Sequence, residues 1–123
     1  MKIHLLDRDP NFVVLPPGTT VFTAGDKGDK MYAVIEGAVD IVVSGKVVDT
    51  VEAGGIFGEM ALIENLPRSA TAVVKTAAKL VGVDRNRFLF MVQQTPFFSL
   101  QLLSIVTDRL RRANAALSSN AAQ

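Results

Sequence analysis

Three residues suited to binding a small anion lie close together near the middle of the chain: Gly58, Glu59 and Arg68. Glycine lets the backbone approach a ligand, and a short helical turn from Glu59 would present free N–H groups to an anion. Arg68 carries a planar fork of donors that matches a phosphate, and Ser69 adds a hydroxyl. The Glu59 carboxylate only accepts hydrogen bonds, which suits a sugar hydroxyl. The spacing therefore predicts a site for a phosphorylated sugar, with a simple Glu59–Arg68 ion pair on a loop as the alternative.

The elements that must position these residues divide the chain into two parts. All nine glycines lie at or before Gly82, and glycine is unfavourable inside helices, so the first part is predicted to be β-structure. β-branched runs alternate there with Gly-, Pro- and Asp-rich turns, which indicates many short strands in a barrel or jelly roll. The predicted strands are Thr19–Thr23, Met31–Glu36, Val39–Ser44, Val47–Val51, Ala70–Lys75 and Lys79–Asp84.

The glycine-free last third is predicted to form two helices. Apolar residues at helical spacing, Phe88 among them, indicate a helix that begins at the N-cap Asp84 and ends before Pro96. A second helix is expected from Pro96 to about Leu117, with a frayed polar end from Ser118. Its arginines, Arg109 to Arg112, are interpreted as a solvated face that complements the helix dipole.

Composition excludes several classes of function. The 123 residues carry 13 Lys+Arg and 12 Asp+Glu, a net charge of +1, so no electrostatic signature of nucleic-acid binding is present. Disulfides and thiolate metal sites are excluded because cysteine is absent, and the single histidine, His4, is expected on a mobile terminus rather than in a metal centre. Charges at Asp7, Arg8 and Asp9 interrupt any signal peptide, and no apolar run spans a bilayer. We expect one soluble, cytoplasmic, metal-free domain that is not an enzyme.

The chain resembles the cyclic nucleotide-binding domain, the module shared by catabolite activator-type regulators, cyclic-nucleotide-dependent kinases and cyclic-nucleotide-gated channels. The resemblance covers about residues 12–117, through Leu15–Gly18 and Gly25–Gly37. It is most specific in Phe57–Thr71, which resembles the family's phosphate-binding cassette. It implies a single domain over 1–123: an antiparallel β-roll or jelly roll of the double-stranded β-helix type over 12–84, capped by two α-helices over 84–118.

The resemblance also implies a role for each cassette residue. Arg68 would bind the exocyclic phosphate, and Glu59 would accept a hydrogen bond from the ribose 2′-hydroxyl. Apolar residues, with Leu62 and Ile56 as candidates, would form the pocket wall, and Leu62 would contact Phe88 in a ligand-dependent switch. The expected ligand-binding residues are Phe57, Gly58, Glu59, Met60, Ala61, Leu62, Arg68, Ser69 and Ala70, with Arg109, Leu110 or Arg112 covering the base.

The implied function is non-catalytic binding of a 3′,5′-cyclic nucleotide, with no cofactor. We expect cAMP to be preferred. We expect cGMP to be a second ligand, because in the family that the chain resembles a hydroxyl at the position of Ser69 can reach the guanine amino group. The chain is too short to include the usual effector and few residues precede Val13, so a protein partner in trans is expected, with no DNA-binding domain and no membrane segment. Two alternatives stay open: a ligand-free protein-interaction or assembly domain with this fold, and a phosphodiester-handling enzyme.

Overall fold

The computed structural model describes residues 2–121, with side chains described up to Leu117. The glycine-containing part forms six strands and one helical turn, and the glycine-free part forms two helices. The strands are β1 (Phe12–Leu15), β2 (Thr20–Phe22), β3 (Lys30–Val43), β4 (Lys46–Glu52), β5 (Ile56–Phe57) and β6 (Thr71–Asp84). The helices are α1 (Met60–Ile63), α2 (Arg85–Gln94) and α3 (Pro96–Ala121).

The strands form an antiparallel sheet in the order β1-β6-β3-β4, with β2 also paired to β6 and β5 to β3. The predicted class, antiparallel β-structure followed by two helices, is confirmed, although the sheet is not closed. The strand expected to end at Phe57 is present as β5, whereas β1 was not predicted because it is short and pairs with β6, which is distant in the chain. This sheet places the loop between β5 and β6, which carries Glu59 and Arg68, beside the helical part.

Two predicted pairs of strands are each one long strand. β3 unites Met31–Glu36 with most of Val39–Ser44, and β6 unites the last two predicted strands. The turn signal at Gly37 is instead a bulge: the β3–β6 register shifts around it and Gly37 has φ +81. A Cβ atom there would lie 2.1 Å from the Ala77 carbonyl oxygen, so only glycine fits.

The N-terminal segment packs against the body, so the prediction of a mobile terminus is wrong. Ile3 and Leu6 are almost fully buried, and the Ile3 N–H donates to the Gly54 carbonyl at 2.7 Å. His4 is exposed and bonds Asp7 at 3.0 Å. Among the described residues, no group of three histidine or acidic side chains is arranged to hold a metal ion.

Both helices begin where the sequence indicates. The Asp84 side chain accepts from the Arg87 N–H at 2.8 Å, which confirms it as the N-cap of α2. α3 continues past the predicted end at Leu117 to Ala121; the side chains of its last turn lie outside the described residues. Within the described residues no single helix has the length and apolarity of a membrane span; only α2 and α3 taken together, bent by 115° where they meet, would match one.

The helices pack on the sheet through one apolar cluster. Phe98 and Leu102 of α3 and Met91 of α2 are buried against Val83 of β6. Leu62 of α1 belongs to the same cluster. α1 therefore shares one closely packed cluster with both C-terminal helices.

Candidate functional site

A cavity of about 530 Å³ lies between the β5–β6 loop, the sheet and α3. This volume is in the range of small-molecule sites. Its wall is largely apolar, with charged side chains at a few separate places. The lining residues are Phe22, Ile41, Val48, Asp49, Phe57, Gly58, Glu59, Met60, Ala61, Pro67, Arg68, Ser69, Ala70, Val106, Arg109, Leu110, Arg112, Ala113 and Ala116.

Arg68 is a buried cation whose partners in the described part of the chain are all neutral. Its side chain donates to the Gly58 carbonyl at 2.9 Å and to the Lys30 carbonyl at 2.6 Å, and its Nε has no hydrogen-bond partner there. The guanidinium lies 4.0 Å from the centre of the Phe22 ring. Burial lowers the pKa of Arg68, a direction that reports the cost of holding a charge away from water. The alternative of a Glu59–Arg68 ion pair is wrong, because Glu59 pairs elsewhere.

Two glycines leave the space that this guanidinium occupies. A Cβ atom on Gly28 would lie 2.7 Å from the Arg68 Nε, and one on Gly58 would lie 2.7 Å from an Arg68 Nη. Gly58 also has φ +78, which favours glycine. Gly28 does not have a positive φ, so its requirement is space alone. Gly28 lies in a glycine-rich segment whose composition predicts only a turn, so its contact with Arg68 was not predicted.

The backbone of Arg68 is hydrogen-bonded to the loop between β2 and β3. The Arg68 N–H donates to the Asp26 carbonyl at 2.8 Å, and the Gly25 N–H donates to the Arg68 carbonyl at 2.8 Å. α1 begins at the N-cap Glu59, whose side chain makes no capping hydrogen bond to the first N–H groups of the helix. The predicted helical turn is thus present, with its N-terminus on the cavity wall at Met60 and Ala61.

Glu59 is buried and neutralised by α3. Its Oε1 accepts from an Arg109 Nη at 2.7 Å, and Arg109 also donates to the Ile56 carbonyl. The Arg109 Nε lies 3.7 Å from the Asp49 carboxylate, and Arg112 reaches the same carboxylate at 3.2 Å. The interpretation of these arginines as a solvated face is therefore wrong for Arg109, which joins α3 to the sheet and to the β5–β6 loop, whereas Arg112 stays more than half exposed while it contacts Asp49.

Most of the predicted site residues line one cavity, but two do not. Leu62 and Ile56 are buried in the apolar core and do not form the pocket wall; Phe22, Ile41 and Val48 do. Phe22 could have been predicted, because it lies between Leu15–Gly18 and Gly25–Gly37, two segments that carry the resemblance. No local pattern in the sequence marks Asp49 as a site residue, because its place on the cavity wall depends on the register of β4 against β3. The predicted lid candidates Arg109, Leu110 and Arg112 all lie on the wall.

The arrangement offers a distinct chemistry at each place. A buried guanidinium beside backbone N–H groups suits a singly charged phosphodiester, because it supplies both charge and directed donors. A buried carboxylate suits a hydroxyl donor. Apolar side chains such as Val48 and Phe57 suit the faces of a planar ring.

The chain matches known proteins in sequence and in fold. The family model of the cyclic nucleotide-binding domain matches residues 12–95. The catabolite activator protein of Thermus thermophilus is similar over 89% of this chain and 54% of its own length, at 28% identity and TM-score 0.77. The regulatory domain of Toxoplasma gondii PKA, whose structure contains cAMP, is 32% identical over 63% of this chain and 31% of its own, at TM-score 0.59. A cyclic nucleotide-binding domain from Methylobacillus flagellatus shares the fold, at 24% identity and TM-score 0.78, over 89% of this chain and 66% of that one. This chain thus spans about half of the Thermus protein and less of the Toxoplasma one.

Proposed function

This chain belongs to the cyclic nucleotide-binding domain family, and on that premise we propose that it binds a 3′,5′-cyclic nucleotide in the cavity beside α3, without catalysis, as a sensor. Arg68 carries the proposal: a buried cation, paired among the described residues only with neutral groups, faces a cavity. A buried charge is costly unless it is paired, and a cyclic phosphate supplies the missing anion. The ligand-free assembly domain is less well supported, because it would retain this cost for no purpose.

The ligand would extend from Arg68 along the cavity. Its phosphate would accept from Arg68 and from N–H groups of α1, of Ser69 and of Ala70. The ribose 2′-hydroxyl would donate to Glu59, which Arg109 already contacts at 2.7 Å. The ligand and Arg109 therefore meet at one carboxylate, which makes α3 the element most directly affected by binding.

Signalling through the helices is the second part of the proposal. Two contacts join α1 to α2 and α3: Leu62 packs in their cluster, and an Arg85 Nη donates to the Leu62 carbonyl at 2.6 Å. Phe88, the predicted partner of Leu62, packs against that same cluster and meets Phe98 edge-on at 6.0 Å. A ligand that pulls on α1 would thus move the base of both helices, provided that it binds the two arrangements unequally.

A protein partner in trans is supported by an exposed stripe on α3. The stripe contains four leucines that are each more than half exposed: Leu100, Leu103, Leu110 and Leu117. Thr107 and Asn114 complete it, so that successive residues of the stripe are three or four positions apart. That spacing is typical of a two-stranded coiled coil, and a polar Asn at a core position is satisfied by the same residue of an identical helix. We infer that the partner is a second copy of this chain. Sedimentation should give a dimer that Leu103→Lys dissociates and Leu89→Lys, off the stripe, does not; a monomeric parent protein would contradict this.

Isothermal titration calorimetry with cAMP and with cGMP tests the proposed binding, and analysis of the nucleotides after incubation tests for turnover. We expect saturable binding of one nucleotide per chain and complete recovery of the intact ligand. Absence of heat with both nucleotides would favour the assembly domain, and accumulation of the 5′-monophosphate would favour the enzyme. A cytoplasmic location, expected from the cysteine-free composition, stays a prediction.

A further inference from the structure

The cavity contains a second carboxylate, Asp49, that the phosphate and ribose contacts do not use. Asp49 lies on β4 opposite Ile41 of β3 and lines the cavity together with Val48. It belongs to neither the β5–β6 loop nor α1. Arg109 lies between Glu59 and Asp49, at 2.7 Å and 3.7 Å, so the second carboxylate is the neighbour of the ribose position along the wall.

Asp49 has unused capacity to accept hydrogen bonds. Its Oδ1 accepts from the Thr50 N–H at 2.9 Å and from an Arg112 Nη at 3.2 Å. Its Oδ2 accepts no hydrogen bond from the described part of the chain; Arg109 Nε, at 3.7 Å, is beyond hydrogen-bond distance. Arg112 in turn donates through Nε to Asp108 at 3.1 Å, which leaves its second Nη as a donor at the cavity wall.

We propose that Asp49 and Arg112 contact the base of the bound nucleotide and raise the affinity for guanine relative to adenine. This inference rests on the proposed function. The Watson–Crick edge of guanine carries two adjacent donors, N1–H and the N2 amino group, next to the O6 acceptor. A carboxylate accepts only, so the Asp49 Oδ2, which accepts no hydrogen bond from the described part of the chain, can receive these donors, and the remaining Arg112 Nη can donate to O6.

Adenine does not match this pair of side chains. Its edge has one amino donor beside the N1 acceptor, which would face a carboxylate oxygen without a proton between them. An amide at position 49 would suit adenine, because it can accept from the amino group and donate to a ring nitrogen. Asp49 therefore acts on the ratio of the two affinities, whichever nucleotide the cassette favours.

The competing interpretation is that Asp49 only fixes α3 to the sheet through its two arginines. The two interpretations differ in one measurable quantity. A purely structural contact would change the cAMP and cGMP affinities by the same factor, since both ligands need α3 in place. A contact to the base would change their ratio.

Titration of Asp49→Asn with both nucleotides tests the proposal. We expect the affinity for cGMP relative to cAMP to fall by about 10-fold or more, in line with the discrimination that a bidentate base contact provides. Asp108→Asn is the matched control: it removes a carboxylate from the same Arg112 but does not line this cavity, so the ratio should stay within about twofold of the parent. Arg112→Gln should lower cGMP affinity more than cAMP affinity.

An unchanged ratio in Asp49→Asn, with both affinities reduced equally, would overturn the proposal and leave Asp49 as a structural contact. The thermal midpoint of each variant shows whether it folds. If Asp49→Asn does not fold, the Arg112→Gln ratio decides alone. If the parent protein binds neither nucleotide, the proposed function fails, which is a different outcome from parental binding with an unchanged ratio.

Discussion

The two arginines of the cavity, Arg68 on the β5–β6 loop and Arg109 on α3, are held in opposite ways. Arg68 is fixed by two carbonyls and two close glycines, with neutral partners throughout the described residues. Arg109 is neutralised by Glu59 and Asp49. Under the proposed function, the loop offers a cation with no anionic partner among the described residues, whereas α3 would share or exchange its partners when a ligand binds. Affinity is expected to depend on the first region and the response to ligand on the second.

The largest effect should come from Arg68→Ala. A charge-assisted, bidentate contact contributes about 1.5–3 kcal/mol, so we expect cyclic nucleotide binding to weaken by about 10–150-fold in calorimetry. Arg68→Lys should also bind poorly, because a point charge lacks the planar fork. Arg111→Ala, an exposed cation of α3 outside the cavity wall, is the control and should bind like the parent. Parental affinity in Arg68→Ala would remove Arg68 from the phosphate site.

Gly28→Ala should weaken binding by disturbing the same guanidinium. The new Cβ would lie 2.5 Å from the Ala61 Cβ and 2.7 Å from the Arg68 Nε. Overpacking of this kind costs about 1–3 kcal/mol, and we expect a loss of about 5–10-fold in affinity, with a lower thermal midpoint. In Gly82→Ala the nearest atom is a flexible Lys30 carbon at 3.4 Å, so that control should bind normally. Normal binding by Gly28→Ala would show that the position of the guanidinium is not critical.

The ribose contact can be isolated by pairing Glu59→Gln with 2′-deoxy-cAMP. The parent protein should bind the 2′-deoxy nucleotide several-fold more weakly than cAMP, because the buried carboxylate loses a donor. In Glu59→Gln the two nucleotides should differ much less. An equal penalty in both proteins would mean that Glu59 serves α3 alone.

The smallest change, in protection rather than affinity, should appear in hydrogen exchange of α3. We expect residues 97–112 to become more protected with cAMP, and Leu62→Ala or Phe88→Ala to abolish that increase, because both side chains pack in the cluster that joins α1 to the helices. Leu66→Ala, an exposed leucine of the same loop outside the cavity wall, should preserve it. Since Leu→Ala in a core costs about 2–5 kcal/mol, Leu62→Val provides a milder variant. Unchanged protection on saturation would indicate a binding module without this switch.

Removing residues 109–123 tests the β5–β6 loop without the part of α3 that contacts the cavity. If α3 closes the cavity, we expect faster dissociation of the ligand with a smaller change in association, measured by stopped flow, because a lid slows exit more than entry. Equal changes in both rates would contradict a lid. Arg68 should still confer measurable affinity in the shortened chain.

Local residue patterns predicted much of the fold. The glycine distribution separated strands from helices, and Asp84 marked the start of α2, because both signals depend on backbone conformation within a few residues. The bulge at Gly37 was interpreted as a turn, since a positive φ is common to both and only the partner strand distinguishes them. The buried Ile3 and Leu6 were missed because their contacts lie far away in the chain.

The sequence by itself determined which chemical groups the β5–β6 loop offers: an arginine, a glutamate and a glycine, within a chain that matches the family model over residues 12–95. Only the tertiary structure decided the partners of those residues. It paired Glu59 with Arg109 from α3 rather than with Arg68, pressed Gly28 against the guanidinium, and turned Asp49 into the cavity. Residue type determines which hydrogen bonds a side chain can make, whereas contacts between distant segments depend on sheet register and helix packing, which no short stretch of sequence encodes.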